Sequence, residues 1–318
     1  MGSNPLYLMA SWLGSMTVGD LFGLFCMHVL MPAAILLEYL VVIPKGRHEY
    51  VTWAYDLNFF VVWFLTFNVY SNYYMLMIRH SRVEKTVRVR EYHDVSEDNK
   101  TPTETNYCSL CEMDVPPRAW HCKVCKVCIL NRDHHCFFSA TCVGHNNQRY
   151  FMCFVFYVWL GISYGIFLNL FIFIEHARLN TGQHIETYID NTYKYIGYHV
   201  LGIENIDPET DFSLLTFDWS STFIYGGWLA FELLAVIIHY PVSMLLLYSM
   251  LTLYKGYPPS RNQLKAPTTN TITNIKIMLG ERWYLVWLSA FIPSRLHHDG
   301  YSYEKLARKD MDLENSLI

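Results

Sequence analysis

The chain has 318 residues, of which 52% are hydrophobic, 16% aromatic and only 16% charged. A soluble pair of domains carries more charge than this, so the apolar residues call for a membrane to occupy. Its 24 Lys and Arg against 28 Asp and Glu give a net charge of -4, a balance that argues against a nucleic-acid partner.

No basic region precedes the first apolar run, so a cleaved signal peptide is not expected. Met1-Gly2 starts like a myristoylation signal, but Leu6 stands where that motif needs Ser or Thr. A helix needs about 20 apolar residues to cross a bilayer, and four stretches reach that length. They run from about Leu21 to Ile43, Leu57 to Ile78, Tyr150 to Ile174 and Ser221 to Tyr254. The fourth is longer than needed and holds Pro241, which predicts a kink or an extension beyond the bilayer.

Lys and Arg beside membrane helices are retained on the cytoplasmic side. A run of them from Arg79 to Arg149 separates the second and third stretches, and the tail after the fourth is also basic. By contrast, Glu175 to Ser220 holds only Arg178 and Lys194, and the first short loop only Lys45 and Arg47. Those two loops are expected in the lumen, with both termini and the cysteine-rich segment in the cytosol. The sequence therefore reads as an α-helical polytopic membrane protein with four transmembrane helices and a small cytosolic zinc-binding domain between the second and third. Residues 1–78 would hold the first two helices, 79–149 the cysteine-rich domain, 150–254 helices three and four with a lumenal loop, and 255–318 a cytosolic region.

Within the last region, Asn274 to Pro293 is apolar and aromatic but too interrupted to span, so it is expected in the cytoplasmic interface or against the bundle. Glu232 and His239 share a face of the fourth stretch, and Asp20 and Glu38 lie near the ends of the first. None of these four receives a role from sequence.

Seven of the nine cysteines fall between Cys108 and Cys142, in Cys-x-x-Cys spacings with histidines interleaved. Cys26 and Cys153 lie in apolar runs and read as packing residues. Pairs of cysteines two residues apart grip a tetrahedral Zn²⁺ from a tight turn, and a later pair or a histidine closes the site. Cys108 and Cys111 form one pair, and Cys122, Cys125 and Cys128 an overlapping set; Cys136, Cys142, His121, His134 and His135 complete the candidate ligands. Two four-coordinate zincs use eight of these ten, leaving a surplus that structural metal does not explain. Adjacent residues such as His134 and His135 point in different directions, so one can hold metal while the other acts. Asp133, His134 and Cys136 then supply an orienting carboxylate, an imidazole base and a thiol, the parts of a cysteine nucleophile directed at an acyl donor.

On these residues the segment resembles the cysteine-rich domain of the Asp-His-His-Cys palmitoyltransferases. The match runs from Cys108 to Phe151 and includes Pro116, Arg118, the tetrad Asp133-His134-His135-Cys136, Cys142 and Asn147. The resemblance implies one structural zinc on Cys108, Cys111, His121 and Cys128, and a second on Cys122, Cys125, His135 and Cys142. It leaves Asp133, His134 and Cys136 for chemistry, with acyl-CoA as donor, membrane lipids around the helices and cytosol-facing proteins with membrane-proximal cysteines as acceptors. It also implies an ER or Golgi membrane. The chain departs from the family in carrying Phe137-Phe138 where Pro-Trp is usual, and in lacking the Asp-Pro-Gly and Thr-Thr-x-Glu motifs. Lys123, Lys126, Arg132 and Arg149 are candidates to face CoA phosphates. A zinc-binding membrane scaffold without catalysis is the competing expectation.

Overall fold

The computed structural model describes residues 16–42, 52–83, 106–171 except Pro117, and 174, 219–256, 270–296 and 300. Most of the expected lumenal loop and of the first short loop, and the end of the tail, lie outside these residues.

Helix α1 spans Val18–Leu40. It begins in a capping box, in which the Thr17 hydroxyl accepts from Asp20 N–H at 3.2 Å and the Asp20 carboxylate accepts from Thr17 N–H at 2.7 Å. A π-helical turn at Cys26–Leu30 interrupts it just before Pro32. Pro32 has no N–H for the carbonyl one turn back, and a wider turn accommodates that loss. Helix α2 covers Thr52–Ile78, and its 27 residues rise about 40 Å. Asn68 and Asn72 are buried in it and return their amides to the carbonyls of Phe64 and Asn68 at 3.1 and 2.9 Å. Helix α3 runs Gln148–Phe171, and α4 runs Trp219–Lys255 with Pro241 inside it.

Among the described residues, three helical segments are both long and apolar enough to cross a membrane: Val18–Leu40, Gln148–Phe171 and Leu229–Lys255. The sequence led us to expect four. Helix α2 has the length, but polar side chains such as Asn68, Ser71 and Asn72 dilute its apolar character. Leu65, Val69, Tyr73 and Leu76 of α2 pack with Met27 of α1 and with Phe151, Phe154 and Val155 of α3 to form the main core. Leu229, Leu233, Val236 and Ile237 of α4 face outward, the surface that hydrocarbon would cover.

Between α2 and α3 the chain folds into three antiparallel hairpins: β1 (Asn106–Cys108) with β2 (Met113–Val115), β3 (Trp120–Cys122) with β4 (Val127–Ile129), and β5 (His135–Cys136) with β6 (Thr141–Cys142). Fully buried Asn147 joins them to the bundle. Its Nδ2 donates to the carbonyls of Leu76 and Cys142 at 3.2 and 3.0 Å, and its Oδ1 accepts from Gly144 N–H at 2.8 Å. A last helix, α5 (Thr271–Leu279), starts at Asn270, whose side chain accepts from Ile272 and Thr273 N–H. With the turns that follow, it packs Met278, Leu279 and Val286 on Met152 and Cys153 of α3. The aromatic segment therefore packs on the bundle, one of the two places expected for it.

Candidate zinc sites and catalytic loop

The ligands are delivered by the hairpins. After Cys108-x-x-Cys111 and Cys122-x-x-Cys125 the chain enters the left-handed region, at Glu112 (φ 51°) and Lys126 (φ 55°). Lys126 N–H closes the second turn on the Cys122 carbonyl at 2.7 Å. Each turn thus brings its two sulfurs close enough for one ion to be held by both. Successive residues of a strand face opposite ways, whereas cross-strand partners share a face. His121 and its partner Cys128 therefore turn to one site, while Cys122, next to His121, turns to the other. His135 and its partner Cys142 join Cys122, and Cys136 points away from them.

Cys108, Cys111, His121 and Cys128 form one group and Cys122, Cys125, His135 and Cys142 the other, with the donor atoms of each within 4.8 Å of one another. In the first, the Nδ1 of His121 lies 3.2 Å from Cys111 Sγ and 3.8 Å from Cys108 Sγ, and Cys128 Sγ lies 3.6 Å from Cys111 Sγ. In the second, His135 Nδ1 lies 3.3, 3.6 and 3.8 Å from the sulfurs of Cys125, Cys142 and Cys122. A tetrahedral zinc with Zn–S bonds of 2.3 Å spaces its sulfurs about 3.8 Å apart, so both groups fit the ion. Hydrogen bonds from Cys125 and Cys142 draw the Cys122 thiol down, and the same bonds push the Cys142 thiol up and Cys125 up to about 11. None of the nine cysteines is in a disulfide; Cys153 is buried packing, as expected, and Cys26 is half-buried.

Asp133, His134 and Cys136 lie outside both groups and against each other. The ring of His134 stands edge-on to Phe151, 4.8 Å between centroids, with Nδ1 3.4 Å from Asp133 Oδ2. Burial disfavours the imidazolium, but hydrogen bonds to Asp133 and Cys136 outweigh it and push His134 up to about 9. Burial likewise opposes a thiolate at Cys136, and the hydrogen bond and charge of His134 bring that thiol below its ordinary value. The thiol is buried in the core shared by α1, α2 and α3, among Met27, Tyr73 and Phe154. Phe138 packs on that core and its carbonyl accepts from the Tyr73 hydroxyl at 3.0 Å.

Two residues at the site carried no signal that assigned them a role. Tyr248 of α4 donates its hydroxyl to Asp133 Oδ1 at 2.9 Å, leaving Oδ2 for His134. Asp20 of α1 accepts from His135 Nε2 at 2.9 Å, behind the second ligand group. Its one sequence signal was the capping pattern Thr17-x-x-Asp20 ahead of an apolar run. Of the other polar residues of the spans, Glu38 accepts from Asn169 and His239 Nε2 lies 2.8 Å from the Ser163 hydroxyl, while Oε1 of Glu232 is buried without a hydrogen-bond partner among the described residues. Among the candidate cations, Arg149 is engaged elsewhere, donating to the carbonyls of Ser294 and Ile292. Arg132 lies 3.9 Å from Cys122 Sγ, while Lys123 and Lys126 are exposed.

The DHHC palmitoyltransferase family model matches residues 101–266. A Danio rerio protein described as probable palmitoyltransferase ZDHHC24 is 32% identical over 202 residues, which are 63% of this chain. The chain spans 62% of the length of that relative.

Proposed function

We propose, from the premise that this chain belongs to the DHHC palmitoyltransferase family, that it moves a long-chain acyl group from acyl-CoA to protein cysteines through a thioester on Cys136. The observation that carries this reading is the placement of Cys136, in contact with His134 yet outside both ligand groups, with its sulfur in an apolar core. An acyl chain entering that core would lie among side chains of its own polarity.

In the first half-reaction His134 takes the proton of Cys136, and the thiolate attacks the carbonyl carbon of the acyl-CoA thioester. The bond to the CoA sulfur breaks, and the departing thiolate takes the proton from His134. In the second, His134 accepts the proton of a substrate cysteine, whose sulfur attacks the acyl-enzyme and returns Cys136 to a thiol. Asp133 holds the imidazole in one tautomer and stabilises its charged form, and Tyr248 holds Asp133. Zinc at both ligand groups, two ions per chain, would lock the hairpins and supply no open coordination position for the reaction.

For the membrane arrangement, we count α2 as the fourth span, place both termini and the hairpins in the cytosol, and assign an ER or Golgi membrane. The acceptors are cytosol-facing proteins with cysteines close to the bilayer. Purified protein given palmitoyl-CoA and a cysteine peptide should transfer the acyl group. Transfer surviving in the Cys136→Ala variant would overturn the reading, and a folded, zinc-loaded protein with no transfer would favour the scaffold.

A further inference from the structure

We propose that Asp20, at the first turn of α1, is a positioning residue for the second zinc site: it orients His135 and thereby seats the catalytic loop on the bundle. This rests on the reading of Cys122, Cys125, His135 and Cys142 as a zinc site.

The geometry has three parts. His135 turns Nδ1 toward the three sulfurs, so its Nε2 is the outer nitrogen and lies 2.9 Å from Asp20 Oδ1. A carboxylate only accepts, so Nε2 carries the proton and Nδ1 is left as the ligand atom. Asp20 is itself immobilised. It is fully buried, and its second oxygen accepts from both Thr17 N–H at 2.7 Å and the Thr17 hydroxyl at 2.8 Å. One turn further on, Gly23 packs on the catalytic loop so closely that a Cβ there would collide with the Phe137 carbonyl and lie 2.8 Å from the Phe138 Cα. The first two turns of α1 therefore touch the residue before Cys136 through Asp20 and the residues after it through Gly23.

A single aspartate at a helix start is a routine cap, and capping alone would engage one carboxylate oxygen. Here the cap occupies Oδ2 and leaves Oδ1 for the histidine. Partners of this kind, behind a metal-bound histidine, are typically worth about 10- to 100-fold in metal affinity.

The test uses the full-length, zinc-loaded protein in detergent and follows transfer of metal to a colorimetric chelator. The wild type should release zinc in two phases, and Cys108→Ala, which damages the first site, identifies the phase of the second. Asp20→Ala should speed the second-site phase about 10- to 100-fold and leave the first-site phase unchanged. Asp20→Asn keeps an acceptor oxygen without the charge and should fall between; it also serves if the alanine variant does not fold. Phases within twofold of the wild type in a folded variant would overturn the proposal. So would equal acceleration of both phases, the signature of general loosening. A wild-type protein without zinc would remove the zinc reading along with this inference. Failure of acyl transfer alone would leave the release phases as predicted.

Discussion

Replacing Tyr248 with Phe removes one hydroxyl and keeps the ring. In the structure that hydroxyl is 2.9 Å from Oδ1 of Asp133, a carboxylate only 8% exposed, so water does not readily take its place. A hydrogen bond to a charged group of this kind is worth about 1.5–3 kcal/mol. If its loss lets the carboxylate turn away from His134, that energy appears in the barrier to acylation as about a 10- to 150-fold slower step. Rapid-quench measurement of acyl-enzyme formation from palmitoyl-CoA reads this rate directly, and zinc content should not change, because Asp133 belongs to neither ligand group. Tyr248 is proposed to act only through Asp133, so the double variant with Asp133→Asn should be no slower than Asp133→Asn alone. Acylation by Tyr248→Phe within twofold of the wild type, or full additivity in the double variant, would refute the assignment.

Cys136→Ala should keep its zinc while losing the acyl-enzyme, and His134→Ala should keep its zinc and acylate about 10²- to 10⁴-fold more slowly, as loss of a general base predicts. Metal analysis should find about two Zn²⁺ per chain, and replacing Cys122 or His121 should lower both metal content and folded yield; an active, metal-free preparation would contradict this. Gly23→Ala should lower thermal stability and slow acylation, because the added methyl meets the backbone of Phe137 and Phe138 rather than a side chain able to move; unchanged melting and labelling would show that α1 does not clamp this loop. Asn99, in the triplet Asn99-Lys100-Thr101, lies outside the described residues; the proposed orientation puts it in the cytosol, and an endoglycosidase-sensitive glycan there would reverse that orientation.

The ligand groups were legible because their information is local. Cys-x-x-Cys turns and the alternation of strand faces act over a few residues, and the eight ligands named by family resemblance are the two groups that the hairpins assemble. Three of the helices were legible for the same reason, since a long apolar run needs no partner to be recognised. Helix α2 was read to its observed end, Ile78, with its start at Leu57 rather than Thr52, and its buried asparagines lower its apolar character below that of the other three. Asp20 and Tyr248 were not legible as site residues. Each contacts a residue 115 positions away, Asp20 to His135 and Tyr248 to Asp133, and a lone polar residue in an apolar helix carries no period that names its partner. Arg149 shows the reverse: a basic residue beside the cysteine-rich segment suggested a phosphate contact, and the packing commits it to the carbonyls of Ser294 and Ile292.

The proposed reaction stands or falls with an acyl group on Cys136. Incubating purified, zinc-loaded protein with a clickable acyl-CoA, followed by hydroxylamine treatment and mapping of the labelled peptide, tests it most directly. A hydroxylamine-labile acyl group is expected on Cys136 and should be absent from Cys136→Ala. Label mapped to another cysteine such as Cys142, or label persisting in folded Cys136→Ala, would contradict it.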